Sequence, residues 1–140
     1  MLAQGGATDE ALPYLETAAA NGDRNPLTFA ALSFCYARAG QVERSLDAAK
    51  RAASLGAGNE QAYLISARAM EEIGRLAEAE SYLVQATKAA PTDPEAITRL
   101  GMLKAAEGDM SSAIQLFRRA LQVAPGYPPA LHALAKAGAR

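Results

Sequence analysis

Apolar side chains recur along the chain at three- and four-residue intervals, as in Phe29, Leu32 and Tyr36, and again in Ile97, Leu100 and Leu103. That spacing gathers them on one face of a helix. The helical runs are broken at regular distances. Gly40, Gly74 and Gly108 stand 34 residues apart, and so do Asn25, Asn59 and Asp93. Phe29, Tyr63 and Ile97 keep the same step, as do Ala52, Ala86 and Ala120, while Pro91 and Pro125 continue it with Ala57 in the earlier place. A fixed period of this length marks a repeat architecture in which each unit is one supersecondary element.

Each period reads as two helices. Asn25, Asn59 and Asp93 are suited to cap the first, because their side-chain oxygens accept from unpaired N–H groups of the first turn. Pro26 and Pro94 follow two of these caps, at a position where the missing N–H costs nothing. The periodic glycines then end the first helix with a left-handed residue. A second helix is predicted from about Val42, Leu76 and Met110 to near Leu55, Ala89 and Val123, before turns at Gly56–Asn59, Pro91–Asp93 and Pro125–Pro128. Toward the N-terminus, Gly5-Gly6 reads as a turn, and Pro13 limits the next helix to a start near Thr8–Leu12 or kinks it.

With these residues in place, the chain resembles a tetratricopeptide repeat array. Residues 94–125 carry the resemblance best, through Leu100-Gly101, Ala113, Phe117, Ala120 and Pro125. Tyr63, Ala67, Ala79, Leu83, Ala86 and Pro91 carry it in the middle repeat, and Leu32, Tyr36 and Ala52 in the first, where Ser33 and Ser45 replace small apolar residues. The resemblance implies an all-α fold, a right-handed superhelical array of antiparallel helix pairs. It divides one domain, residues 1–140, into a partial repeat (1–25), repeats at 26–59, 60–93 and 94–127, and a C-terminal capping or partial-repeat helix (128–140).

Composition narrows the function. The 14 Lys and Arg against 15 Asp and Glu give a net charge of -1, without the basic excess of a nucleic-acid surface. One Cys excludes an internal disulfide, and with one His it leaves no thiol–histidine zinc cluster. No apolar run reaches the roughly 20 residues of a membrane span. The cytoplasm is favoured, with the periplasm open, and the Ala- and Arg-rich composition has a bacterial character. No cofactor is expected.

An enzyme needs a convergent set of reactive groups, and none is evident. His132 sits in the terminal helix without an acid–thiol or acid–hydroxyl set, and Cys35, between Phe34 and Tyr36, reads as a packed side chain. Asp9-Glu10 and Glu71-Glu72 are adjacent on helices and point in different directions.

The informative surface is the face of the first helices turned away from Phe29, Leu32, Ser33 and Tyr36. It comprises Leu27, Ala30, Ala31, Phe34, Ala37 and Arg38; then Gln61, Leu64, Ile65, Arg68, Glu71 and Glu72; then Glu95, Thr98, Arg99, Met102, Ala105 and Ala106. The resemblance implies that these stripes line a concave, peptide-binding groove. Phe34, Leu64, Ile65 and Met102 are expected to face it as an apolar patch rimmed by Arg38, Arg68, Arg99 and Glu71. The family's carboxylate clamp is absent, since Ala30, Phe34 and Ile65 take its key places and leave Arg99 alone; Ala31, Ile65 and Arg99 replace the asparagine ladder of its glycosyltransferase arrays. A non-enzymatic scaffold for an amphipathic helix or extended apolar segment is the leading expectation. The alternatives are an accessory repeat segment of a larger enzyme or assembly, and a module that self-associates through incomplete ends.

Overall fold

The computed structural model describes residues 2–138, with side chains from residue 8 onward. Its described residues form eight helices: α1 (Leu2–Ala20), α2 (Pro26–Arg38), α3 (Val42–Leu55), α4 (Glu60–Glu72), α5 (Leu76–Ala89), α6 (Pro94–Ala106), α7 (Met110–Val123) and α8 (Pro128–Lys136). The predicted starts and ends of the second helices coincide with α3, α5 and α7. The local signals act as their chemistry requires. Asn25, Asn59 and Asp93 accept from the N–H groups of Leu27, Ala62 and Glu95, each at 3.0 Å. Gly40, Gly74 and Gly108 have φ of 78°, 77° and 90°. This left-handed turn lets the following N–H donate back to the helix, as Gln41 does to Tyr36 O at 2.9 Å and Arg75 to Met70 O at 2.8 Å.

The N-terminal expectation needs correction. Instead of a turn at Gly5-Gly6 and a helix starting near Thr8–Leu12, α1 runs unbroken from Leu2 through both glycines and Pro13. A helical glycine costs only about 1 kcal/mol and a proline about 3. The packing of Leu12, Leu15 and Ala19 against the first-repeat core works against that cost.

Two compact units divide the chain, with the boundary inside α5 between Tyr82 and Leu83. In the first unit, α2 packs against α1, α3 and α4. Phe29, Ala30, Leu32, Ala48, Ala52 and Ala62 form the core there. The replacement of small apolar residues by Ser33 and Ser45 has a structural purpose. Both are fully buried, and each hydroxyl donates to the other residue's backbone carbonyl at 2.8 Å, with the two oxygens 3.2 Å apart. Hydroxyls that would be costly to bury alone thus satisfy one another across α2 and α3. Arg51 and Arg44 of α3 lie over the Phe29 and Tyr36 rings, at 5.2 and 5.9 Å.

In the second unit α6 pairs with α7, and α8 packs on both. Ile97, Ala120 and Ala130 form one cluster; Ala113, Phe117, Ala133 and Leu134 form another. At Gly101 the side chains of α7 lie close against the backbone of α6. A Cβ there would lie 2.6 Å from Phe117 Cε1 and 3.2 Å from Leu116 Cβ.

Two stability predictions follow from these contacts. Gly101→Ala gains about 1 kcal/mol of helix propensity but collides with a buried ring, which costs about 1–3 kcal/mol. The net change is a loss, and Gly101→Ala becomes stabilising in a Phe117→Leu background, as a denaturant-unfolding double-mutant cycle would record. Ser33→Ala or Ser45→Ala alone costs about 1 kcal/mol. The double change costs less than the sum, because it removes both hydroxyls that needed a partner.

Candidate functional site

The stripe expected to face a groove divides between the two units. On α2, Leu27 and Arg38 are exposed, Phe34 is half-buried and Ala30 is fully buried. On α4, Gln61 and Arg68 are exposed, Ile65 and Glu71 are half-buried, and Leu64 is only 3% exposed. On α6, Met102 is 45% exposed, Arg99 is half-buried and Thr98 is buried. Ala30, Leu64 and Thr98 are therefore not on an open face. Burial on several sides is the reason: α2 is flanked by three helices, α4 packs on α2 and α3, and α6 packs on α7 and α8. A residue one helical step from the inward row is still covered. Ile65 likewise packs against the first-unit core.

The rim charges are partly used internally. Arg38, at the end of α2, pairs with Glu72 at the end of α4 with a 3.5 Å separation. Such a half-exposed pair contributes little stability, but it neutralises one of the arginines counted toward a ligand. Cys35 is buried, and burial pushes its thiol above the ordinary range, with the negative charge of Asp9 adding to the effect. A raised thiol is a poor nucleophile at neutral pH. No group of three His, Cys, Asp or Glu side chains gathers to hold a metal among the described residues, and none of the described helices is long and apolar enough to cross a membrane.

Within the second unit, α6, α7 and α8 enclose a cavity of about 420 Å³. Met102, Ala105, Met110, Phe117, Ala133 and Ala137 make its wall apolar, while His132 and Lys136 are its polar members. Met110 is 42% exposed, so two flexible thioethers stand at the opening. Of the stripe expected to face the groove, Met102 and Ala105 line this cavity. Met110, His132 and Lys136 were missed. Two of them were within reach of the period: His132 lies 34 residues after Thr98, and Lys136 lies 34 after Met102. Extending the stripe by one more step would have included them.

The family model of the tetratricopeptide repeat matches residues 60–103 and 94–137. No curated protein sequence matches the chain. Among solved structures, a thermophilic TPR protein in Thermus thermophilus superposes with a TM-score of 0.79 at 22% identity, over 97% of this chain and 75% of that one. YrrB, described as a TPR protein with an unusual peptide-binding site, gives 0.77 at 23% identity over 96% and 69%. The first TPR of Spaghetti (RPAP3), solved bound to the HSP90 peptide SRMEEVD, gives 0.68 at 20% identity over 81% and 90%. At these identities the likeness is one of fold, a helical solenoid.

The buried members of the stripe set a further prediction. Thr98 Oγ1 is buried and finds no hydrogen-bond partner among the described residues. Thr98→Val keeps the shape and removes the unpaired hydroxyl, so it raises stability by about 1 kcal/mol or more. Equilibrium unfolding in urea would read the gain, and a loss would show that the hydroxyl is satisfied in solution.

Proposed function

The chain belongs to the tetratricopeptide-repeat family, and from that premise we propose that it is a non-enzymatic scaffold that takes up a protein segment on its first-helix faces. The observation that carries the reading is the apolar cavity between α6, α7 and α8, opened by Met102 and Met110. Its volume accommodates a few apolar side chains, and methionine walls adapt to differing shapes. The positive charge of Lys136 at this site favours acidic residues beside the ligand's apolar anchor.

This chemistry suits an amphipathic helix or a short extended apolar segment. It does not suit a ligand held through its terminal carboxylate, because Ala30, Phe34 and Ile65 offer no cation where the family's clamp has them. The fold likeness to TPR structures with a bound peptide or a peptide-binding site supports a peptide or protein segment as the ligand. Affinity is expected near micromolar, about -8 kcal/mol.

Selection of peptides from a random library on the immobilised chain, followed by titration of the selected sequences, tests the proposal. Binders should carry paired apolar anchors flanked by Asp or Glu. Met102→Glu should weaken them at least about tenfold, or 1.4 kcal/mol, with the melting curve unchanged because Met102 is exposed. Binders indifferent to that change, or no binders at all, would overturn the reading.

A further inference from the structure

The thioethers at the cavity mouth are chemically unlike the rest of its wall. Met70, Met102 and Met110 are the methionines among the residues described with side chains. Met70 is fully buried, whereas Met102 and Met110 are exposed, and both line the cavity between α6, α7 and α8. Their exposure belongs to the repeat, since Arg68 and Leu76, one period earlier, are exposed as well. The fold does not ask for sulfur at either step. Val42 and Leu76 keep the step of Met110 with hydrocarbon side chains, and Phe34 and Arg68 keep that of Met102. A thioether adds a property those side chains lack, because its sulfur accepts oxygen from a peroxide. Cys35, the single thiol, offers no competing target. It is buried, and burial raises its pKa, which keeps the reactive thiolate scarce.

We propose that Met102 and Met110 form a paired sulfoxidation site, and that their oxidation by hydrogen peroxide shuts the cavity to apolar ligand side chains. In each step a sulfur lone pair attacks one peroxide oxygen. The S–O bond forms as the O–O bond breaks, and sulfur gives up two electrons. The departing hydroxide takes the proton of the transferred oxygen and leaves as water. The product carries a polar S–O group that accepts hydrogen bonds. Among the side chains lining the cavity, only those of His132 and Lys136 can donate to it. An apolar anchor entering beside the sulfoxides would strip water from them without returning a hydrogen bond. A sulfoxide that accepts from Lys136 also occupies the cation that favours acidic residues on the ligand. Closure is reversible, because methionine sulfoxide reductases return the thioether. A dithiol is then oxidised to its disulfide, and the oxygen leaves as water. The consequence for peptides rests on the reading of this cavity as the ligand site; the selectivity of the oxidation does not.

Treating the folded chain with hydrogen peroxide at neutral pH, with mass-spectrometric peptide mapping, reads the selectivity. Met102 and Met110 should become sulfoxides at least about tenfold faster than Met70, with the circular dichroism unchanged. Binding is read with anilinonaphthalene sulfonate, a fluorescent apolar anion suited to this wall and to Lys136, and with peptides selected on the reduced chain. Both should bind at least about tenfold more weakly after oxidation. They should recover once reductases for both sulfoxide epimers act with dithiothreitol. The ratio of affinities before and after peroxide should fall to about one in a Met102→Leu, Met110→Leu double variant, whatever its own affinity. In Met70→Leu the ratio should stay at the wild-type value. Oxidation of Met70 as fast as the other two, or equal dye binding by the reduced and oxidised chains, would overturn the inference. If no peptide is selected on the reduced chain while dye binding still responds to peroxide, the scaffold reading fails and the sulfoxidation site stands.

Discussion

The close approach of two helices in each pair is the constraint on which the other contacts depend. At Gly101 the ring of Phe117 occupies the volume that a Cβ would take. Around it the facing positions are held to alanine, with Ala113 and Ala120 fully buried. A glycine on α6 and one large ring set between alanines on α7 leave little freedom in how the helices cross, because interiors tolerate neither overlap nor void. Once the crossing is set, the outward faces are set as well, and so is the opening between Met102 and Met110.

The first pair meets the same constraint by a different chemistry. Ser33 and Ser45 are as small as the position demands, and their hydroxyls close on each other's carbonyls rather than on water. In the second repeat, Ala67 and Ala79 do without any polar group. Two hydrogen bonds fix the axial register of α2 on α3.

Much of this was legible in the sequence because its signals are local. The caps at Asn25, Asn59 and Asp93 and the left-handed glycines act within a turn of chain, so the ends of α2 to α7 could be read directly. Tertiary weight was harder to read. The two glycines and the proline of α1 argue locally for interruption, but Leu12, Leu15 and Ala19 bind the helix to a core whose support no local rule includes. Leu64 was misplaced for a related reason. Its position follows from how far neighbouring helices wrap round α4, and a periodic pattern states which residues share a face but not how wide the covered sector is. His132 and Lys136 were passed over because the stripe was not carried one period further, onto the helix read as a capping or partial-repeat element.

The packing of the first unit joins helices that are neighbours in the chain or one apart: α1 with α2, α2 with α3 and α4, α3 with α4. Contacts of this kind close short loops, and the entropy lost before they form is correspondingly small. The unit thus has the low contact order of proteins that fold in microseconds to milliseconds. Any pair can serve as the starting point, with its neighbours added one at a time. The same locality governs the reverse process, in which a terminal helix such as α1 can detach while the Ser33–Ser45 pair behind it stays intact.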